Sequence, residues 1–391
     1  MCIWIVNPFD NLPQEGTRAQ RYWLMARAFV RAGHEVVYWT SDFSHATKAK
    51  RVFVGDVGEE KGIRLELIPT KPYPRNICLA RVLSHRALAR DFEQRAVEAV
   101  VQTGSGRDAP ITPQIVIASM PPLGLCDVAR RVAAHFGARF IADVQDAWPE
   151  TFERILPRIV WALLGMRRAA RRIYCCADGV SAVAKRYLDL AKSYGCRAPT
   201  HLAGHSIEGV ASVERPREDV AAGPLRLVYA GNMSLSYDLE TVIKVVSGRT
   251  DVTLDVAGNG PDRARLERLG AANNIRFHGY LGETALRELL MRCDVGFIPM
   301  FPESCVGVPG KLADYAAAGL RVIESLGGET AEIVDSCHVG VHYSAGDVES
   351  LANAIGRLKE SLSEIGDFDG FRARFDARIV MDGYVNWALV F

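Results

Sequence analysis

Apolar residues in this chain fall into two patterns. Short unbroken runs, such as Cys2-Ile3-Trp4-Ile5-Val6, "QIVIASM" (114–120) and "RFIADVQD" (139–146), read as strands buried on both faces. Between them lie longer segments with apolar positions at helical spacing. The first half predicts strand 2–6, a polar loop Asn7 to Gly16, a helix from Thr17 to Arg31, and strands at Glu35–Trp39 and Leu65–Ile68. Further on it predicts a helix near 79–100, the two apolar strands separated by a helix 123–136, a helix 153–173 and a strand Gly179–Val183. The stretch "PTHLAGHSIEG" (199–209) reads as a linker, after which the rhythm restarts with strand 225–230, turn Ala230-Gly231-Asn232, helix 238–247 and strand 252–257.

From Leu254 to Ile323 the alternation is densest. Strand "LDVAG", turn "GNGP", helix "DRARLERL", strand "IRFHGYL", helix "ETALRELLMRC" and strand "DVGFIPM" lead to "VPGKLADYAAAGLRVIES". This rhythm predicts an α/β protein of two doubly wound, Rossmann-like halves joined near residue 205. "GDFDGF" (366–371) is expected to break the last helices, before an aromatic-rich helix at 371–391. Helix starts along a parallel sheet bring backbone N–H groups and partial positive charge to its carboxyl edge. An anionic, nucleotide-like ligand is therefore expected there.

Composition changes this picture little. The 391 residues suit two domains, and 49% hydrophobic with 24% charged residues is ordinary for a globular chain. A net charge of +1 gives no global field for nucleic acid. The chain opens directly as a strand, so no secretory leader is expected, and no apolar run is long enough to span a bilayer. Nine scattered cysteines without a C-x-x-C point to a reducing, cytoplasmic setting.

Several segments in their order carry a resemblance: "RYWLMARAFVRAGHEVVYWTSDF" (21–43), "IADVQDAWPE" (141–150), "ADGVSAVAKRYL" (177–188), "LVYAGNMS" (227–234), "VAGNGP" (256–261), "IRFHGYL" (275–281), "DVGFIPM" (294–300) and "PGKLADYAAAGLRVI" (309–323). Together they resemble the GT-B glycosyltransferases of the retaining family 4 type, and in particular the branch that builds bacterial surface polysaccharides. The resemblance implies two Rossmann-like domains facing across a cleft: an acceptor-binding domain at 1–204, a nucleotide-sugar-binding domain at 205–370, and a C-terminal helix 371–391 packing back on the first. It implies a UDP-sugar donor, a glycolipid or polysaccharide acceptor, retention at the anomeric carbon and no metal or other cofactor. The only D-x-D, Asp367-Phe368-Asp369, lies in the polar breaker and not after a strand.

Site residues follow from the same segments. Gly16-Thr17-Arg18 opens the first helix and presents backbone N–H groups to the donor diphosphate, or is a plain helix entry with Thr17 near the N-cap. Gly231-Asn232 lets backbone approach a phosphate closely, but Met233 to Tyr237 offers none of the cations common in relatives. Lys311, in the helix start Gly310-Lys311-Leu312, supplies the charge for a leaving phosphate, against a reading as a solvated lysine. Asp314 binds the ribose hydroxyls, or only pairs with Lys311 one turn away. The family's first glutamate falls at Val306, leaving Glu303 as its nearest replacement. Gly279 and Tyr280 meet the base, Tyr280 by stacking, or else Tyr280 is partly buried packing.

On the acceptor side, Asp146 orients or deprotonates the acceptor, or caps the segment after it. Gln145 stands where relatives carry a catalytic histidine. Arg154, Arg158, Arg167, Arg168, Arg171 and Arg172 interleave with Trp161 and other apolar residues between Phe152 and Tyr174. That pattern reads as a basic amphipathic helix on an anionic membrane surface, at the inner face of the cytoplasmic membrane, or as a core helix with a solvated basic face. Arg81, Arg86 and the loop 71–75 extend the basic patch. The rival to an enzyme is a catalytically inactive nucleotide-binding or partner-binding protein of the same fold. A nicotinamide oxidoreductase is a poor fit, because Arg263 stands where the third glycine of its fingerprint belongs.

Overall fold

The unbroken apolar runs form parallel strands because both their faces are covered by helices. In the computed structural model these strands belong to two compact units, Met1–Gly204 with Val380–Phe391, and His205–Ile379. The structure describes residues 1–53, 61–76, 78–102, 112–151, 165–209, 223–361 and 366–390.

In the first unit β1 (Cys2–Val6) and β2 (Glu35–Ser41) are followed by a small antiparallel hairpin of β3 (Phe43–Ser44) and β4 (Ala49–Lys50). Then come β5 (Ile63–Ile68), β6 (Ile115–Met120), β7 (Arg139–Val144), β8 (Gly179–Ala182) and β9 (Thr200–Leu202). The parallel sheet runs β5-β2-β1-β6-β7-β8-β9, so strand order reverses between β1 and β6. Every residue of β1 and β6 is buried, and Ser119 is the one polar residue in the two strands. The segment Val380–Phe391 belongs to this unit. Tyr384 is fully buried edge-on to Phe29, and Trp387 stacks on His201 at 5.1 Å.

The second unit holds β10 (Leu225–Ala230), β11 (Val252–Ala257), β12 (Ile275–Gly279), β13 (Val295–Ile298), β14 (Arg321–Glu324) and β15 (Gly340–His342). Its parallel sheet runs β12-β11-β10-β13-β14-β15, and the reversal falls between β10 and β13. Helix Leu239–Ser247 lays Leu239, Val242, Ile243 and Val246 on this sheet, joined by Leu351, Ile355 and Leu358 from helix Val348–Glu360. Gly356, inside the latter helix, has nothing within 4 Å of an added Cβ. Gly356→Ala is therefore expected to stabilise the unit by about 0.5–1 kcal/mol, read as a higher calorimetric transition, because only backbone entropy changes.

Three predicted elements differ. The first helix spans Arg21–Arg31 and does not begin at Thr17. Residues Pro13–Glu15 form one 3-10 turn that Gly16 closes at φ 73°, and the helix N–H of Tyr22 is capped by the Asp10 carboxylate at 3.1 Å. "GDFDGF" interrupts the last helices only at Gly366 and Asp367, and its remaining residues are helical. Asp367 accepts from the N–H of Gly370 and so starts the helix Phe368–Ala373, before the last helix, Ala377–Val390. The predicted helix 153–173 appears as Met166–Cys176, and residues 152–164, with Arg154, Arg158 and Trp161, lie outside the described residues. Ala170, Ile173 and Tyr174 of that helix are fully buried, while Arg167, Arg168, Arg171 and Arg172 are exposed. The apolar stripe of this described part is thus spent in the core, leaving its arginines, with Cys175 and Cys176, to face a surface.

Candidate functional site

In doubly wound sheets ligands settle beyond the carboxyl ends of the strands at the order reversal. In the second unit that place lies past β10 and β13, and the chain there has two unusual features. The first is a ladder of glycines. Gly231, Gly258 and Gly279 continue or end β10, β11 and β12, with Gly231 N–H donating to Ala257 at 2.9 Å and Gly258 N–H to Gly279 at 2.6 Å. A Cβ on Gly258 would stand 1.9 Å from the Gly231 carbonyl oxygen, and one on Gly260 2.2 Å from that of Met233. Backbone packs on backbone here, and all three ladder glycines have positive φ.

The second feature is Lys311. Helix Lys311–Ala317 is pinned over β13 because the ring of Tyr315 occupies the space a side chain on Gly296 would need, 2.5 Å from its Cβ position. The hydroxyl of Tyr315 donates to Phe297 O at 2.9 Å. This brings the Lys311 ammonium beside Gly231, 3.2 Å from where a Cβ would be. Its Nζ lies over the rings of Tyr237 at 4.0 Å and Tyr229 at 4.6 Å. Among the described residues this buried nitrogen has no hydrogen-bond partner. Burial pulls its pKa down to about 7, against the upward pull of the Asp314 carboxylate one turn along. Two aromatic faces offset part of that desolvation, about 0.5–2 kcal/mol each. The arrangement holds a cation ready for an anion that none of the described residues provides.

The other donor-side residues are placed unevenly. Asp314 is half-buried in the first turn of Lys311's helix. Leu312 is wholly buried and its N–H already donates to Pro309 O at 3.0 Å, so it is not the anion donor expected of it. Gly231 N–H is likewise used within the sheet; its contribution is the space it leaves for the ammonium. Gly310 stands just ahead of Lys311, and Asn232 is exposed, its carbonyl taken by Tyr229 OH at 2.6 Å. Tyr280, 82% exposed beyond β12, is not core packing. Glu303 is exposed in the turn Pro302–Ser304, within a loop tied down by Thr330 Oγ1 donating to Gly307 O at 3.0 Å. A cavity of about 360 Å³ lined by Arg226, Asp255, Asn274 and Asp294 lies at the opposite, amino edge of this sheet, and is not this site.

In the first unit Gly16 does not open a helix. Its N–H closes the turn onto Pro13 O at 2.9 Å and is not free for a phosphate. Asp146 follows β7 and acts as a turn cap, its Oδ1 accepting from Ala147 N–H at 2.8 Å and Thr151 Oγ1 at 3.1 Å. Burial raises its pKa. Gln145 donates to Asp143 at 2.7 Å. Asp143 escaped the sequence reading: fully buried, it takes a two-pronged ion pair from Arg21, both contacts 2.9 Å, and a hydrogen bond from Ser181 at 2.6 Å. Burial works against its charge, but the Arg21 guanidinium outweighs it and holds the carboxyl below its usual pKa. A carboxylate inside an otherwise apolar strand was the available signal, since a buried charge needs a partner.

Residues 224–361, which contain the glycine ladder and Lys311, match the family model for glycosyl transferases group 1. The second unit carries a glycosyltransferase domain. No curated protein matches the sequence. Among solved structures, sucrose-phosphate synthase from Thermosynechococcus elongatus aligns with a TM-score of 0.72 at 12% identity, over 99% of this chain and 98% of that one. HepE from Anabaena, in complex with UDP and glucose, aligns at 0.66 and 16% over 100% and 99%. The lipopolysaccharide outer core galactosyltransferase WaaB aligns at 0.64 and 15% over 99% and 98%. At such identities the likeness is one of fold, two Rossmann-like domains over nearly the whole chain.

Proposed function

We propose that the protein transfers a sugar from a nucleotide diphosphate sugar, with a UDP-sugar the expected donor, to a hydroxyl of a lipid-linked or polysaccharide acceptor, with retention of anomeric configuration. The observation that carries this reading is the buried, unpartnered ammonium of Lys311 beside Gly231 at the strand-order reversal. It lies inside the matched glycosyltransferase domain. HepE, which shares the fold, was solved with UDP and with UDP-glucose.

In this reading Lys311 neutralises the diphosphate as the sugar–oxygen bond breaks, in a site where low polarity strengthens the attraction. Asp314 accepts from the ribose hydroxyls and Tyr280 meets the base. Gln145 has no basic lone pair and is engaged with Asp143, so the departing phosphate oxygen takes the acceptor proton as the hydroxyl attacks from the same face. Asp146 orients that hydroxyl. No metal is required, because the lysine supplies the positive charge. The exposed arginines of Met166–Cys176 add attraction for an anionic membrane surface.

The test is calorimetric titration with UDP-glucose and other nucleotide sugars from pH 6 to 8.5, with turnover of a labelled donor alongside. An anion binds the protonated lysine, which predominates below about pH 7. Affinity is therefore expected to fall by up to about tenfold per pH unit above that point, with uptake of a proton on binding. Absence of nucleotide binding by a folded sample, or a flat pH profile, would overturn the assignment of Lys311; binding without turnover would favour the inactive rival.

A further inference from the structure

Four loops at the carboxyl edge of the first unit's sheet carry side chains that the donor chemistry does not use. Phe9 follows β1, His45 and Lys48 lie in the β3–β4 hairpin after β2, Tyr73 follows β5, and Trp148 follows β7. Arg81 and His85 come from the first turns of helix Leu79–Gln102. The Arg81 guanidinium sits among three rings, 5.6 Å from the centroid of Phe9, 5.8 Å from Tyr73 and 5.5 Å from Trp148. It is folded inward onto these rings, not spread as part of a basic surface patch. The Lys48 ammonium lies 5.1 Å from the Tyr73 ring.

Neither cation has an ion-pair partner among the described residues. Lys48 donates to Asn76 Oδ1 and His45 O, both at 2.6 Å, and stands 3.3 Å from His45 Nδ1, while Arg81 donates to Asn76 O at 2.6 Å. Asp146 is near enough to act on Arg81 electrostatically but makes no ion pair with it. The two imidazoles add donors and no negative charge. Burial first, then the nearby cations, hold His45 at about 4 and His85 at about 3, so both are neutral near pH 7. His85 Nε2 accepts from Arg81 at 3.4 Å and His45 Nδ1 pairs with Tyr73 OH at 2.5 Å. A neutral imidazole that accepts on one nitrogen carries its proton on the other, leaving His85 Nδ1–H and His45 Nε2–H as donors. Lys48 also holds φ at 59°, a strained backbone for a long side chain, such as gathers at functional sites.

Aromatic faces suit the apolar face of a sugar ring, and two cations with two N–H donors suit an anion beside it. We infer that this cluster is a subsite for a glycosyl acceptor bearing a negatively charged group, a carboxylate or a phosphate, gripped by Lys48 and Arg81 between the rings. The inference rests on the transferase reading for the word acceptor, and names the acceptor's class. It places the hydroxyl to be glycosylated near Asp146 and the anion toward the hairpin.

The experiment titrates the full chain by NMR saturation transfer and calorimetry with methyl glucuronide, glucose 6-phosphate and uncharged methyl glucoside, at low and high salt. UDP-glucose is titrated in parallel. At least one anionic sugar is expected to bind roughly tenfold or more tighter than methyl glucoside, with the advantage shrinking in salt. The carboxylate and phosphate arms tell which anion the site takes. Arg81→Met and Lys48→Gly are each expected to remove most of that advantage and leave UDP-glucose binding unchanged. Lys48→Gly also relaxes the backbone, so its effect is separable from unfolding. Equal affinity for charged and neutral sugars, or discrimination that survives both substitutions, would overturn the subsite. Loss of UDP-glucose binding in the wild type would instead overturn the donor reading and leave the anion result standing by itself.

Discussion

Lys311→Met is expected to lower donor turnover by about 10²–10³-fold while raising the melting temperature. Removing one preorganised donor to a developing negative charge costs about that much in rate. The stability gain has the opposite sign for a simple reason. The lysine's pKa falls from 10.5 when free to about 7 in the folded protein, so the charged form prefers the unfolded chain. That penalty is absent above pH 10.5, grows as pH falls and is complete below about pH 7. Methionine keeps the stem between Tyr229 and Tyr237 and removes the charge. At neutral pH a rise of a few degrees is expected by calorimetry, shrinking toward zero at high pH. A variant that lost both stability and activity would show that the ammonium holds the fold together, and that its apparent isolation misleads.

Gly258→Ala should act the other way, through structure first. Its Cβ would lie 1.9 Å from the Gly231 carbonyl oxygen, on a residue at φ 126°. Neither atom can yield, since the oxygen is backbone, the Cβ is fixed rigidly to backbone, and both residues belong to the hydrogen-bonded continuation of the sheet. A loss of about 3 kcal/mol or more is expected, from strain and steric overlap together. It should appear as a lowered transition of the second unit and, in whatever fraction folds, as lost UDP-glucose affinity, because displacement of Gly231 moves the floor beneath Lys311. An alanine variant with unchanged stability would mean that the strand ends are not packed as described.

What the sequence disclosed and what it withheld follow from the range of the interactions. The buried parallel strands were legible because covering both faces demands apolar residues nearly throughout, as in β1 and in β6 apart from Ser119. Lys311 was legible as a charge at a helix start, but its isolation was not: the two rings that bury it come from positions 229 and 237. Thr17 looked like a helix start because the true cap, Asp10, reaches Tyr22 from across a loop. The pairing of Arg21 with Asp143 joins positions 122 apart, and no local pattern reveals it. Asp367 shows the reverse case, where a polar stretch legible as a breaker also contains the capping carboxylate of the next helix. Polar residues at element ends were thus misread more often than apolar ones inside them.

The first unit is discontinuous, for Met1–Gly204 is completed by Val380–Phe391. The second unit is thus an insertion within the first. Tyr384 and Trp387 fill the place formed by Phe29, Ser181 and His201. Domains usually fold as units from the amino terminus onward. Here a chain cut after Gly204 lacks part of its own core and exposes apolar surface, whereas His205–Ile379 is continuous in sequence and owes nothing to a distant segment.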